Sequence, residues 1–88
     1  MTKEIDLQNY LYTNIPLSEA MGIQVLPLRK EGLSLKAPLS FNINHKKTAF
    51  GGSIHSIATL SCWTYLHSQL TDLLLSSEIV IASSSISY

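Results

Sequence analysis

The sequence predicts an α+β fold in which short antiparallel strands pack on one long helix. Residues 33–37, Leu-Ser-Leu-Lys-Ala, alternate cleanly and place Leu33, Leu35 and Ala37 on one face. Residues 53–70 carry apolar side chains at helical spacing, enough for a rod about 27 Å long. Residues 78–88 return to alternation, with Ile79, Ile81, Ser83 and Ser85 on one face and Val80, Ala82, Ser84, Ile86 and Tyr88 on the other.

The elements follow in order. Ile5, Leu7, Tyr10, Leu11 and Tyr12 give residues 3–14 a loosely helical spacing that Pro16 closes. Pro16 also suits the first turn of a second short helix, Leu17 to Met21, which Gly22 ends. Residues 23–29 alternate moderately through Ile23 and Val25, and Lys30-Glu31-Gly32 is a turn signal before 33–37, so the two runs predict a β-hairpin. Pro27 lacks an amide proton and marks an edge or a bulge in the first strand. Residues 38–52, with Pro38, Ser40, Asn42 and Asn44, predict a loop. In the 53–70 helix, Ile54, Ile57, Ala58 and Ser61 share one face, Leu60, Trp63, Leu66 and Leu70 broaden it, and Trp63 and Tyr65 read as core or interface aromatics. The pattern of residues 78–88 is that of a strand, and its stop at Tyr88 without a turn signal suggests the front part of a longer domain.

Composition narrows the functional classes. Eighty-eight residues make one small domain, 1–88, with 45% hydrophobic and 14% charged residues. Zero formal net charge leaves no electrostatic footprint for nucleic acid or an anionic membrane. No apolar run approaches the length of a membrane span, and Lys3, Glu4 and Asp6 are foreign to a signal peptide, so a cytoplasmic location is expected. Cys62 is the single cysteine and excludes an internal disulfide; between Ser61 and Trp63 it reads as a small buried thiol rather than a nucleophile. His45, His55, Cys62 and His67 lack ligand spacing, so no metal is expected.

The chemistry-bearing stretch runs from Asn42 to Ser53, where a polar loop meets Gly51-Gly52 just before the long helix. Two glycines permit a sharp turn and close approach to the backbone. The first amides of a helix lack intrahelical partners and sit at the positive end of its dipole, where a carbonyl oxygen or oxyanion can be held. The plain alternative is a flexible loop followed by a helix cap. Ser53 lies in Gly-Gly-Ser-Ile-His, which is not the serine-hydrolase elbow, and its hydroxyl reads as a cap.

Leu17 through Gly22, Asn44-His45, Thr48-Ala49-Phe50-Gly51-Gly52-Ser53, Ala58-Thr59-Leu60-Ser61 and Trp63 together resemble the thioesterase domain of the YiiD C-terminal type, within the acyl-CoA thioesterases of hotdog fold. The resemblance implies a curled antiparallel sheet wrapped around one central helix, incomplete here because further strands normally follow. It implies thioester hydrolysis, with the carbonyl held by backbone amides near Gly51, Gly52 and Ser53 and with water as the nucleophile. Coenzyme A is then part of the substrate, no cofactor is required, and the protein works as a homodimer or larger assembly. Many relatives carry a carboxylate on the central helix; here none lies between Ser53 and Thr71.

The catalytic roles that the resemblance implies therefore fall on Asn44, His45, Gly52 and Ser53, and the substrate-binding roles on Phe50, Gly51, His55 and Thr59. Asn44 would orient a water or hold substrate; its plain reading is an Asx-turn residue. His45 would serve as base, since histidine exchanges protons near neutral pH, or else is a solvated loop residue. His55 and Thr59 have surface and packing readings, and Lys46 and Lys47 would meet coenzyme A phosphates as point charges. Two alternatives stand beside the enzyme. One is a non-catalytic hotdog module for acyl binding or assembly, and the other is an inactive truncated fragment.

Overall fold

A computed structural model describes residues 3–30, 32–73 and 78–87. Helix α1 spans Lys3–Asn14 and α2 spans Pro16–Ala20. Strands β1, Gln24–Val25, and β2, Leu35–Lys36, pair antiparallel in the register Gln24↔Lys36 and Val25↔Leu35. A 3₁₀ turn at Leu39–Phe41 leads to α3, Gly51–Asp72. Its 22 residues make a rod of about 33 Å.

The turn from α2 into β1 is set by Gly22. It takes φ +70°, the left-handed region that favours glycine. Its amide donates to Glu19 O at 2.9 Å and the Ile23 amide donates to Ser18 O at 3.0 Å. That pair of bonds is the Schellman termination of a helix. A Cβ on Gly22 would lie 2.7 Å from the Phe41 ring and 3.0 Å from Pro38.

The expected hairpin forms, but its ladder is short. Leu26 N donates to Ser34 O at 3.0 Å, and Arg29 and Gly32 make an isolated bridge. Pro27 offers no donor between these contacts, which is why regular pairing stops at Val25. Glu31 of the turn lies outside the described residues. Leu33, Leu35 and Ala37 are half-buried while Ser34, Lys36 and Pro38 are exposed, as the alternation requires.

Helix α1 docks on β1 through one row of side chains spaced four apart. Tyr12 Oη donates to Ile23 O at 2.5 Å, Gln8 Oε1 accepts from Val25 N at 3.2 Å, and Glu4 Oε2 accepts from Leu28 N at 2.9 Å. Beside that row, Leu7 and Leu11 enter the core with Met21, Ile23, Val25 and Leu60.

Helix α3 buries Leu60, Thr64 and Ser68, a stripe at four-residue spacing. Of the expected apolar face Leu60 is buried and Trp63 packs on the core, but the rest is displaced by this stripe: Ile54 and Ala58 are exposed, and Ile57 and Ser61 are half-buried. The reason is partner geometry. Helix α1 crosses α3 beyond its middle, where the short Thr64 and Ser68 admit a neighbouring helix. Tyr10, Trp63 and His67 stack there, with His67 centroids 4.3 Å from Tyr10 and 5.0 Å from Trp63. Cys62 is exposed, not buried, because it faces away from that contact. Lys3 and Asp72 pair at 2.6 Å at the surface, an ion pair worth about 0–1 kcal/mol.

The expected strand over 78–88 does not form among the described residues 78–87, and Tyr88 lies outside them. A strand needs a partner ladder, and the edge of β1 is already occupied by α1. Instead the segment lies along α3. Trp63 Nε1 donates to Ile79 O at 3.1 Å, and His55 Nε2 lies 2.9 Å from Ser84 Oγ. Ile79 and Ile86 are half-buried although the alternation puts them on opposite faces.

Two expectations follow. Gly22→Ala should lower stability by about 2 kcal/mol, since a left-handed non-glycine residue costs about 1–2 kcal/mol before the Phe41 contact is counted; chemical denaturation measures it, and an unchanged midpoint would refute the strain. Partial burial between two rings lowers the His67 pKa from the ordinary 6.5. The unfolded chain therefore binds that proton more tightly, so the contribution is full above pH 6.5 and is lost as pH falls through the folded value. Denaturation midpoints should fall from pH 7 to pH 5, and His67→Phe, which keeps a flat ring, should flatten that interval.

Candidate functional site

The loop entering α3 is built by two asparagines. Asn42 is buried; its Nδ2 donates to Met21 O at 2.9 Å and to Pro38 O at 2.8 Å, while its own carbonyl accepts from Phe50 N at 2.7 Å. The loop is thereby tied at both ends to the α2–β1 corner. Between those ends, Ile43 and Ala49 form a bridge and Asn44 N donates to Thr48 O at 2.8 Å.

Asn44 fills the inside of this turn. Its Oδ1 accepts from Lys46 N at 2.9 Å and from Thr48 N at 3.1 Å, and its Nδ2 lies 2.8 Å from Thr48 Oγ1 and 3.3 Å from Ala49 O. This is an Asx-type arrangement. It lets Lys47 take φ 63°, a left-handed conformation that a non-glycine residue adopts only under constraint. His45, Lys46 and Lys47 are exposed on the loop's outer side.

Gly51 and Gly52 are the first two residues of α3, which begins two residues earlier than the periodicity predicts. Phe50 is the N-cap and makes no side-chain cap bond. Ser53 therefore lies inside the first turn and is not the cap that its hydroxyl suggested. The first helical bond is Ile54 N to Phe50 O at 3.1 Å, and the amides of Gly52 and Ser53 have no partner among the described residues. Neither glycine has a positive φ. The Phe50 ring instead covers Gly52, and a Cβ there would lie 2.5 Å from it, so that the ring would have to swing aside.

Two clefts flank this helix end. One of about 160 Å³ is lined by Met21, Ala37, Leu39, Asn42, Ala49, Ser53, Ile54 and Ile57, almost all apolar. The other, of about 280 Å³, lies between α3 and residues 81–86 and is lined by His55, Ala58, Thr59, Cys62, Ile81 and Ser84 among others. Thus the structure joins His55 to Thr59 and places Ser53 across the helix from them. Asn44 and His45 line neither cleft. Phe50 is 54% exposed and stands over Gly52.

Sequence reasoning missed Asn42 and Ser84. Asn42 carried no signal beyond being polar in a loop. Ser84 was one of three consecutive serines, and only its distance to His55 separates it from its neighbours. Among the described residues no group of three or more His, Cys, Asp or Glu could hold a metal, and no helix is long and apolar enough to cross a membrane.

Asn44→Ala should release the amides of Lys46 and Thr48 and lower stability by about 1–2 kcal/mol. Amide hydrogen exchange reads this directly, and retained protection at both positions would refute the loop role.

The whole architecture has close counterparts. A crystal structure described as the putative thioesterase from Shewanella oneidensis superposes with TM-score 0.86 at 38% identity, over 91% of this chain and 59% of that one. A protein of unknown function from Chlorobaculum tepidum TLS superposes with TM-score 0.78 at 32% identity, over 83% of this chain and 45% of that one. The chain therefore spans about half to three-fifths of the length of these solved relatives. Its helices, small antiparallel sheet and long helix α3 match a hotdog-like fold. The family model described as putative thioesterase (yiiD_Cterm) matches residues 4–88, and the chain belongs to that family.

Proposed function

We propose that the protein hydrolyses acyl thioesters, acyl-CoA or a related carrier-bound acyl group, at the N-terminus of α3. The observation that carries this reading is a pair of amides in the first turn. The amides of Gly52 and Ser53 have no partner among the described residues, and Phe50 supplies no side chain to cap them. Such amides, at the positive end of a 22-residue helix, suit an oxygen that gains charge as a thioester becomes tetrahedral. The apolar cleft beside Ser53 and Ile54 suits the acyl chain.

The other residues take roles in this reading. The carbonyl carbon is attacked, the oxyanion rests on the helix amides, the thiolate departs, and water supplies the oxygen of the released acid. Asn44 holds the loop that carries Ala49 and Phe50 to the site. Phe50 and Gly51 border the carbonyl, His45 stands on the loop as a candidate base, and His55 and Thr59 face the neighbouring cleft. Lys46 and Lys47, exposed beside the turn, suit the phosphates of coenzyme A. A homodimer or larger assembly accords with the exposed Phe50, Ile54, Leu66 and Val80. A cytoplasmic location remains part of the same reading.

A second reading, an acyl-binding module without turnover, is favoured by one observation. Asp72 is the only carboxylate on α3, and it is paired with Lys3 at the far end from the uncapped turn.

Thiol release from acyl-CoAs of two to sixteen carbons distinguishes the two. Release above background with at least one chain length is expected; binding without release would replace the hydrolase by the module. Replacing the Ser53 amide by an ester linkage removes one donor and leaves the side chain in place, and kcat should fall about 10²–10³-fold at unchanged helix content.

A further inference from the structure

We propose that Ser84 is an acyl-accepting nucleophile and His55 its base, so that the reaction passes through an acyl-Ser84 ester. For its substrate class the proposal rests on the thioesterase reading. Its grounds are geometric. Ser84 Oγ and His55 Nε2 lie 2.9 Å apart, within reach for proton transfer. Both line the same cleft of about 280 Å³. Ala58, Ile81 and Ile86 give that cleft apolar walls.

The local structure explains the meeting. His55 is the fifth residue of α3, and helical side chains lean toward the N-terminus, so its imidazole lies toward the uncapped turn. The bond from Trp63 to Ile79 fixes the returning segment along α3 and sets Ser84 opposite His55. Ser84 is exposed while His55 is half-buried, which leaves the hydroxyl open to substrate and the base partly sheltered.

With the imidazole neutral and protonated at Nδ1, Nε2 accepts the Ser84 hydroxyl proton as Oγ bonds to the carbonyl carbon. The carbon–sulfur bond breaks, and the thiolate takes that proton from Nε2. Water then attacks the ester, with His55 again as base, to release the carboxylic acid and restore Ser84. Among the described residues no carboxylate lines the cleft to orient His55, and an oxygen ester is less reactive toward water than the thioester it replaces, so the ester should decay more slowly than it forms and accumulate.

The test incubates the protein with hexanoyl-CoA and reads intact mass and peptide mapping alongside thiol release. One hexanoyl group on Ser84 is expected, absent in Ser84→Ala, retained in Ser84→Cys and formed about 10²-fold more slowly in His55→Gln. No adduct, or one confined to Cys62 in the same cleft, overturns the proposal. Thiol release undiminished in Ser84→Ala also overturns it while leaving the thioesterase reading intact. An adduct on Ser84 without sustained thiol release supports the nucleophile and counts against the hydrolase.

Discussion

The contact on which the rest of the structure depends is the seam between α1 and the edge of β1. A two-residue strand cannot hold a sheet by itself, and an uncovered edge leaves buried amides and carbonyls unpaired. Tyr12, Gln8 and Glu4 meet Ile23, Val25 and Leu28 in turn, so that one face of a helix stands in for a neighbouring strand. The backbone bond to Leu28 is the largest influence holding the Glu4 carboxyl below its ordinary pKa of 4.5. The donor therefore favours the ionised form. By linkage this contribution is full above pH 4.5 and is lost as acid titrates the carboxylate, a window separate from that of His67.

That seam also positions the loop and helix end that form the candidate site. Leu7 and Leu11 can enter the core only because the polar row beside them is satisfied, and the core they form seats Leu60 of α3. The Schellman turn at Gly22 then brings Met21 and the Phe41 ring to one corner, where Asn42 ties the loop down through Met21 O. The loop in turn presents Phe50 to the helix start. Each step fixes backbone before side chain, so the first turn of α3 is held by polar contacts made well away from it.

Much of this was legible, and the limits have physical causes. Pro16 and Gly22 announced α2 because proline and glycine act through backbone geometry, which needs no partner. The hairpin was legible in Leu33, Leu35 and Ala37 because alternation reflects one buried face. The α1 row was not: Glu4, Gln8 and Tyr12 look in sequence like a solvated face, and only the location of β1 turns them into partners. The buried stripe of α3 was misplaced for the same reason, since Thr64 and Ser68 are chosen by the helix that crosses them and not by hydrophobicity. Gly51-Gly52 marked the start of α3, but neither glycine takes a positive φ, and the Phe50 ring lies over Gly52. Asn44 kept its Asx-turn reading in the structure, and its amide is consumed by the loop.

Where α3 leaves the core decides how its end can be used. Its middle is locked at Leu60 and Thr64, while the first turn projects beyond α1. Ser53, Ile54 and Ile57 fall on one side of the helical wheel, and His55, Ala58, Thr59 and Cys62 fall roughly opposite. The helix therefore separates an apolar recess from a cleft that carries the titratable and hydroxyl groups. The amides of the first turn point along the axis and belong to neither side alone. On the proposed reading this division suits a thioester, because an acyl chain and an attacking group must approach the carbonyl carbon from different directions. A helix buried along its whole length could not offer that arrangement, nor could one whose first turn was capped by its own side chains.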